Sequence, residues 1–257
     1  MTTWVFLRGL ARESRHWGAF PALFRERLPG ARIVTPDLPG NGTLHAEPSP
    51  ASVEAMGEHC RKRLAAQGIP GPYHLLGLSL GGMVAAAWAC RHPGEVAGCV
   101  LINTSLRPFS PFHRRLRPGS YLSLLAIALP VGDGVARERL LMRLTACRPT
   151  APEVVEEWGA YWRERPVSSA NALRQLLAAA RFQAPSAGPP CPVLVLAGGG
   201  DALVHPSCSH QLAERWRADF AFHPGAGHDL PLDDGPWVAR EVEGWLCRCN
   251  KAVMSGR

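Results

Sequence analysis

A chain of 257 residues that is 46% hydrophobic and 19% charged has apolar surface enough for one large core, and too much for a disordered segment. The net charge of +7 raises the question of nucleic acid or anionic surfaces, but it is unevenly placed. Between Leu106 and Gly188 twelve arginines face six carboxylates, whereas the rest of the chain holds sixteen basic and fifteen acidic groups, so neither nucleic-acid nor membrane binding is expected of the whole. The first residues lack a basic start followed by a long apolar run, and no stretch could span a bilayer. Eight cysteines without disulfide or zinc spacing, Cys247-Arg248-Cys249 included, point to a reducing, cytoplasmic setting with no metal.

In chain order, apolar runs and breakers alternate strand, turn and helix, the pattern of a mostly parallel sheet with helices on both faces. Trp4 to Leu7 reads as a strand running into Gly9, Trp17 to Leu28 as an amphipathic helix, and Ala31 to Thr35 as a second strand. Rigid turn residues follow from Pro36 to Gly42, then a helix opening at Ser49-Pro50 and reaching Gln67. Tyr73 to Leu76 is a buried strand, Met83 to Ala89 a helix of good formers, and Val96 to Asn103 another strand. The next parallel strand, Pro192 to Leu196, comes more than eighty residues later, a gap too long for a bare loop. Within it, segments near 121–129, 136–146, 152–162 and 170–182 read as helices, which predicts a helical cap over 106–187 inserted in a core of 1–105 and 188–257. A helix near Cys208 to Trp216, a strand near Phe220 to His223 and a last helix from Trp237 complete a sheet of about six strands.

Gly77-Leu78-Ser79-Leu80-Gly81 lies between a buried strand and a helix. A Gly-X-Ser-X-Gly turn there holds the serine in a strained conformation with its hydroxyl above the sheet, and the flanking glycines avoid a clash. The helix that follows turns its first amides toward the serine, so the N–H of Leu80 is a candidate oxyanion donor. A serine hydroxyl needs a base, and among ten histidines His228 combines a Gly-rich loop (Gly225-Ala226-Gly227) with a place just after a strand. Asp201, after an apolar strand and three glycines, is the acid expected to orient it; Asp229, Asp233 and Asp234 are the competing carboxylates.

Along nearly its whole length the chain resembles the α/β-hydrolase superfamily, through Asp37-Leu38-Pro39-Gly40-Asn41-Gly42, Gly77-Leu78-Ser79-Leu80-Gly81-Gly82, Gly200-Asp201 and Gly227-His228-Asp229-Leu230-Pro231-Leu232. The resemblance implies the α/β-hydrolase fold and a triad of Ser79, Asp201 and His228. It also implies a second oxyanion donor at the backbone N–H of Leu10. The family usually has His-Gly before that position; this chain has Arg8-Gly9.

The expected chemistry is hydrolysis of a carboxylic ester through an acyl-enzyme on Ser79, without cofactor or metal. The leucine, alanine and aromatic content of the cap predicts an apolar acyl group. A serine at this turn argues against the dehalogenase and epoxide-hydrolase branches. Thioester and carbon–carbon hydrolysis, or a non-catalytic ligand-binding role, remain as alternatives. The arginines of the cap, if not simply a solvated face, suggest docking of an acidic partner such as a carrier protein, or of a carboxylate-bearing substrate, as in the similar-looking pimeloyl-carrier-protein methyl ester esterases.

Overall fold

The computed structural model describes residues 2–128 and 133–254. Six strands form one sheet: β1 (Thr2–Leu7), β2 (Ala31–Val34), β3 (Tyr73–Leu78), β4 (Val96–Ile102), β5 (Val193–Gly198) and β6 (Asp219–His223). Their order is β2-β1-β3-β4-β5-β6, and every neighbouring pair is parallel. Because the chain steps from β1 outward to β2 and then back to β3 on the other side, the sheet reverses its winding between β1 and β3. In open α/β sheets ligands bind beyond the strand ends at such a reversal.

Alternate side chains on each strand bury themselves in two separate cores. Val5, Leu7, Leu75, Leu101 and Val195 face α2 (Val53–Ala66), α3 (Leu80–Arg91) and α9 (Ser207–Trp216). Trp4, Phe6, Leu76, Val100, Ile102 and Leu196 face α1 (Phe20–Arg27) and α10 (Leu230–Met254) on the opposite side. Between β4 and β5 run α4 (Phe112–Arg115), α5 (Tyr121–Ala128), α6 (Gly134–Thr145), α7 (Pro152–Glu164) and α8 (Ser169–Arg181). Met142, Val155 and Trp158 make a small core within this insertion.

Three element starts differ from the sequence reading, each because a side chain or glycine has another task. The stretch from Trp17 does not run on as one helix: Ser14–Trp17 is a single tight turn, Gly18 breaks it at φ 51°, and α1 begins at Phe20. Helix α2 opens at Val53, with the Ser52 hydroxyl accepting from the Ala55 N–H, rather than at Ser49-Pro50. Ser49 is committed elsewhere: its hydroxyl donates to the Pro39 carbonyl and its N–H to Asn171. Helix α10 starts at Leu230, seven residues before the predicted Trp237, and is interrupted at Asp234, whose carboxylate accepts from the Trp237 N–H and so caps the longer part. The predicted cap helix near 121–129 ends in part outside the described residues.

The insertion is fastened to the sheet side largely by polar groups. Glu138 of α6, fully buried, takes both terminal nitrogens of Arg12 at 2.7 and 2.6 Å. Gln175 of α8 accepts from the Ala11 N–H and donates to Asn41 and Ser49. Asn171 accepts from Ser49 and donates to the Glu47 carbonyl. Beyond the end of α6, the amides of Cys147 and Arg148 donate to Asp233.

Candidate active site

Ser79 sits between β3 and α3 at φ 56°, ψ −115°, a left-handed backbone that a non-glycine residue adopts only under constraint. Its N–H donates to the Ile102 carbonyl at 2.9 Å, which ties the turn to β4. The glycines around it are required by contact. A Cβ on Gly81 would lie 2.0 Å from the Leu7 carbonyl oxygen, and one on Gly77 2.3 Å from the Gly81 oxygen. Leu80 is the first residue of α3, so its N–H has no partner within the helix.

Asp201 follows β5 and is 1% exposed. One carboxylate oxygen accepts the N–H groups of Leu203 and Val204, both at 2.8 Å; the other receives His228 Nδ1 at 2.6 Å. Since the carboxylate can only accept, the imidazole carries its proton on Nδ1 and its lone pair on Nε2. Of the competing carboxylates none meets His228. Asp229 holds Arg8, Asp233 accepts from Gly227, Cys147 and Arg148, and Asp234 meets Arg148, His223 and the Trp237 amide.

Asn103, just past β4 at φ 47°, is a site residue that the sequence reading missed. Its amide nitrogen donates to the carbonyls of Gly227 and His228 at 2.9 and 2.8 Å, and its oxygen accepts from the Gly198 N–H. One side chain thus joins the ends of β4 and β5 to the histidine loop. The sequence reading made it the last residue of the strand, and a polar residue at the end of a buried strand was the one hint.

The Arg8-Gly9 departure also finds an explanation. Arg8 makes a two-pronged ion pair with Asp229, at 3.1 and 2.6 Å, each side chain 4% exposed. Its guanidinium lies 4.8 Å from the centre of the Trp17 ring. The pair joins the loop after β1 to the residue next to His228. His16 is buried beside it, and its pKa is pushed well below the ordinary imidazole value, first by burial and then by Arg12 and Arg8. Its Nδ1 accepts from the Glu13 N–H.

Ser79 thus follows β3, Asp201 follows β5 and His228 follows β6, and a direct hydrogen bond joins the last two. A profile described as the alpha/beta hydrolase family matches residues 4–241. The chain belongs to that family. Among relatives of this hydrolase, a protein named as a candidate carbamate hydrolase, RutD, of Variovorax paradoxus is 30% identical over 235 residues, covering 86% of this chain and 83% of that one. A pimeloyl-[acyl-carrier protein] methyl ester esterase of Chromobacterium violaceum is 34% identical over 92 residues, 36% of this chain. The hydrolase spans about a third, 34%, of that esterase's length in this match. Among solved structures, a thermophilic esterase from Thermogutta terrifontis superposes with a TM-score of 0.74 at 26% identity, over 96% of this chain and 90% of that one. No described helix is long and apolar enough to cross a membrane.

Proposed function

We propose that this hydrolase cleaves a carboxylic ester with an apolar acyl group through an acyl-enzyme on Ser79. The observation that carries the reading is the 2.6 Å bond from His228 to a buried Asp201 whose other oxygen is pinned by two amides. In this reading the bond orients the imidazole and leaves Nε2 to act as the base. Ser79 Oγ attacks the ester carbonyl while His228 Nε2 takes its proton. The tetrahedral oxyanion is held by the N–H groups of Leu80 and Leu10, and the neighbouring Ala11 N–H is already taken by Gln175. His228 then gives the proton to the leaving alcohol. Water, activated by the same base, releases the acid and restores Ser79. Nothing in these steps calls for a cofactor or metal.

The same chemistry serves carbamates and thioesters, so substrate rather than mechanism separates them. Hydrolysis of p-nitrophenyl acetate, butyrate, octanoate and laurate by wild type and Ser79→Ala tests the proposal. Turnover is expected to fall by about 10⁴-fold or more in the variant, with the chain-length profile sizing the acyl pocket. Full activity in Ser79→Ala would remove the serine from the mechanism.

A second reading concerns the partner. The arginine surplus between Leu106 and Gly188, together with the relative that acts on an acyl-carrier protein, supports an acidic carrier as the bearer of the acyl group. Attraction between exposed charges is screened by salt, so activity on carrier-borne esters should drop between 50 and 500 mM salt, roughly the range over which the Debye length shortens to a few ångströms. Activity on neutral esters supplies the baseline.

A further inference from the structure

The triad accounts for one face of Asp201. On the other, α4 and the turn at 117–120 pack against the loop 201–205 and leave a groove of about 480 Å³. Leu144 and Ala202 line it together with His113, Arg114, Arg117 and His205, and no carboxylate does.

The walls are fixed by hydrogen bonds rather than by loose side chains. The Arg117 N–H donates to the Leu203 carbonyl at 2.8 Å, and the His205 N–H to the Arg114 carbonyl at 2.9 Å. One terminal nitrogen of Arg117 donates to the Asp201 carbonyl at 2.6 Å, leaving its other donors for the groove. The Arg114 side chain has no hydrogen bond or ion pair among the described residues. The Asp201 carboxylate cannot neutralise the site, because it is buried and spent on Leu203, Val204 and His228. His205 Nδ1 is engaged by Ser207, with the hydroxyl at 2.8 Å and the N–H at 3.2 Å, so Nε2 is the ring nitrogen left for a ligand.

Two guanidinium groups and an imidazole around a concavity without a lining carboxylate form a receptor for a compact anion with several acceptor oxygens. We propose that this groove binds a phosphoryl group, either carried on the substrate or as free phosphate. Arg117 then links the bound anion to the backbone of the triad acid.

Titration calorimetry with inorganic phosphate on Ser79→Ala protein reads the groove without any turnover, so it stands apart from the ester-hydrolase reading. Saturable binding in about the millimolar range is expected, weakened about tenfold in an Arg114→Gln, His205→Gln variant. Arg174→Gln with Arg181→Gln removes more charge from the exposed face of α8 and should leave phosphate affinity unchanged. Arg114→Glu, a second groove variant, should abolish binding. Absence of saturable binding, or equal weakening in the groove and α8 variants, would overturn the proposal.

The source of the phosphoryl group is read from kcat/KM for an alkyl ester bearing a terminal phosphate, relative to the matching uncharged alcohol; this arm rests on the ester-hydrolase reading. A ratio that falls about tenfold in the groove variant assigns the phosphate to the substrate. An unchanged ratio alongside lost phosphate binding assigns the groove to free phosphate.

Discussion

The Arg8–Asp229 pair should be among the most sensitive contacts in the protein. Both side chains are almost fully enclosed and share two charge-assisted bonds. Asp229→Ala leaves the Arg8 charge buried against Trp17 with nothing opposite it, and Arg8→Met strands the carboxylate in the same way. Stranding one partner of a buried pair costs about 3–5 kcal/mol. For a domain of this size that is a drop in Tm of roughly 6–20 °C. Replacing both, as Arg8→Met with Asp229→Leu, removes the uncompensated charge and should restore about 2 kcal/mol or more relative to the sum of the single changes. Activity separates the structural role from the positional one. The pair joins the loop before Leu10 to the residue after His228, so the double variant, though more stable than the sum predicts, should still lose about 100-fold in kcat, the usual effect of an ångström of misplacement. Guanidinium unfolding of the four proteins, with kcat/KM on one p-nitrophenyl ester, completes the cycle. Single variants that lose less than about 1 kcal/mol, or strictly additive effects, would refute the argument.

Two further outcomes follow from groups around the sheet. Burial holds the His74 pKa down at about 4, and His16 also lies well below its ordinary value. In the unfolded chain both bind protons near pH 6.5, so their contribution to stability is complete above that pH. It is lost as pH falls below 6.5, by up to about 1.4 kcal/mol per pH unit for each group. Unfolding midpoints between pH 7 and 5 should show this slope, and His74→Phe, stacked on Trp4 in the same place, should flatten it; an unaltered slope would contradict the assignment. Asn103→Ala removes the acceptor of the Gly198 amide and the donor to two carbonyls, at a cost of about 2–4 kcal/mol. The loss should fall on kcat more than on KM, since the histidine loop loses its anchor; an effect on KM alone would contradict that role.

What could be read from the sequence was local. The order of strands and helices follows from apolar runs cut by glycine and proline, and the turn at Ser79 follows from glycines on both sides of a serine between strand and helix. Long-range polar partners left no such trace. Arg8 and Asp229 are 221 residues apart, and Arg12 and Glu138 126 apart, so nothing in either neighbourhood identifies the pair. The same limit explains the misplaced start of α2. Ser49 has the residue type of a helix cap, but distant contacts with Pro39 and Asn171 claim it. Asp229 reads in the sequence only as one more carboxylate near His228, and the pairing with Arg8 that occupies it is found only in three dimensions.

The sheet's strand order bears on how the molecule assembles. β4 and β5 lie side by side with Cys99 opposite Val193, so that ladder must wait for the whole insertion to emerge and find its place. β1 pairs with β3 across a shorter stretch of chain, bringing Gly9 against Ser79, whereas His228 follows β6, which joins the sheet only beyond β5. Long-range parallel pairings of this kind are slow to close. On the proposed mechanism, a refolding chain can form its serine turn before the histidine is in place, and gains activity only once β5 and β6 have joined the sheet. Recovery of activity on refolding would then trail the β1–β3 pairing, the mark of a site split between early and late contacts.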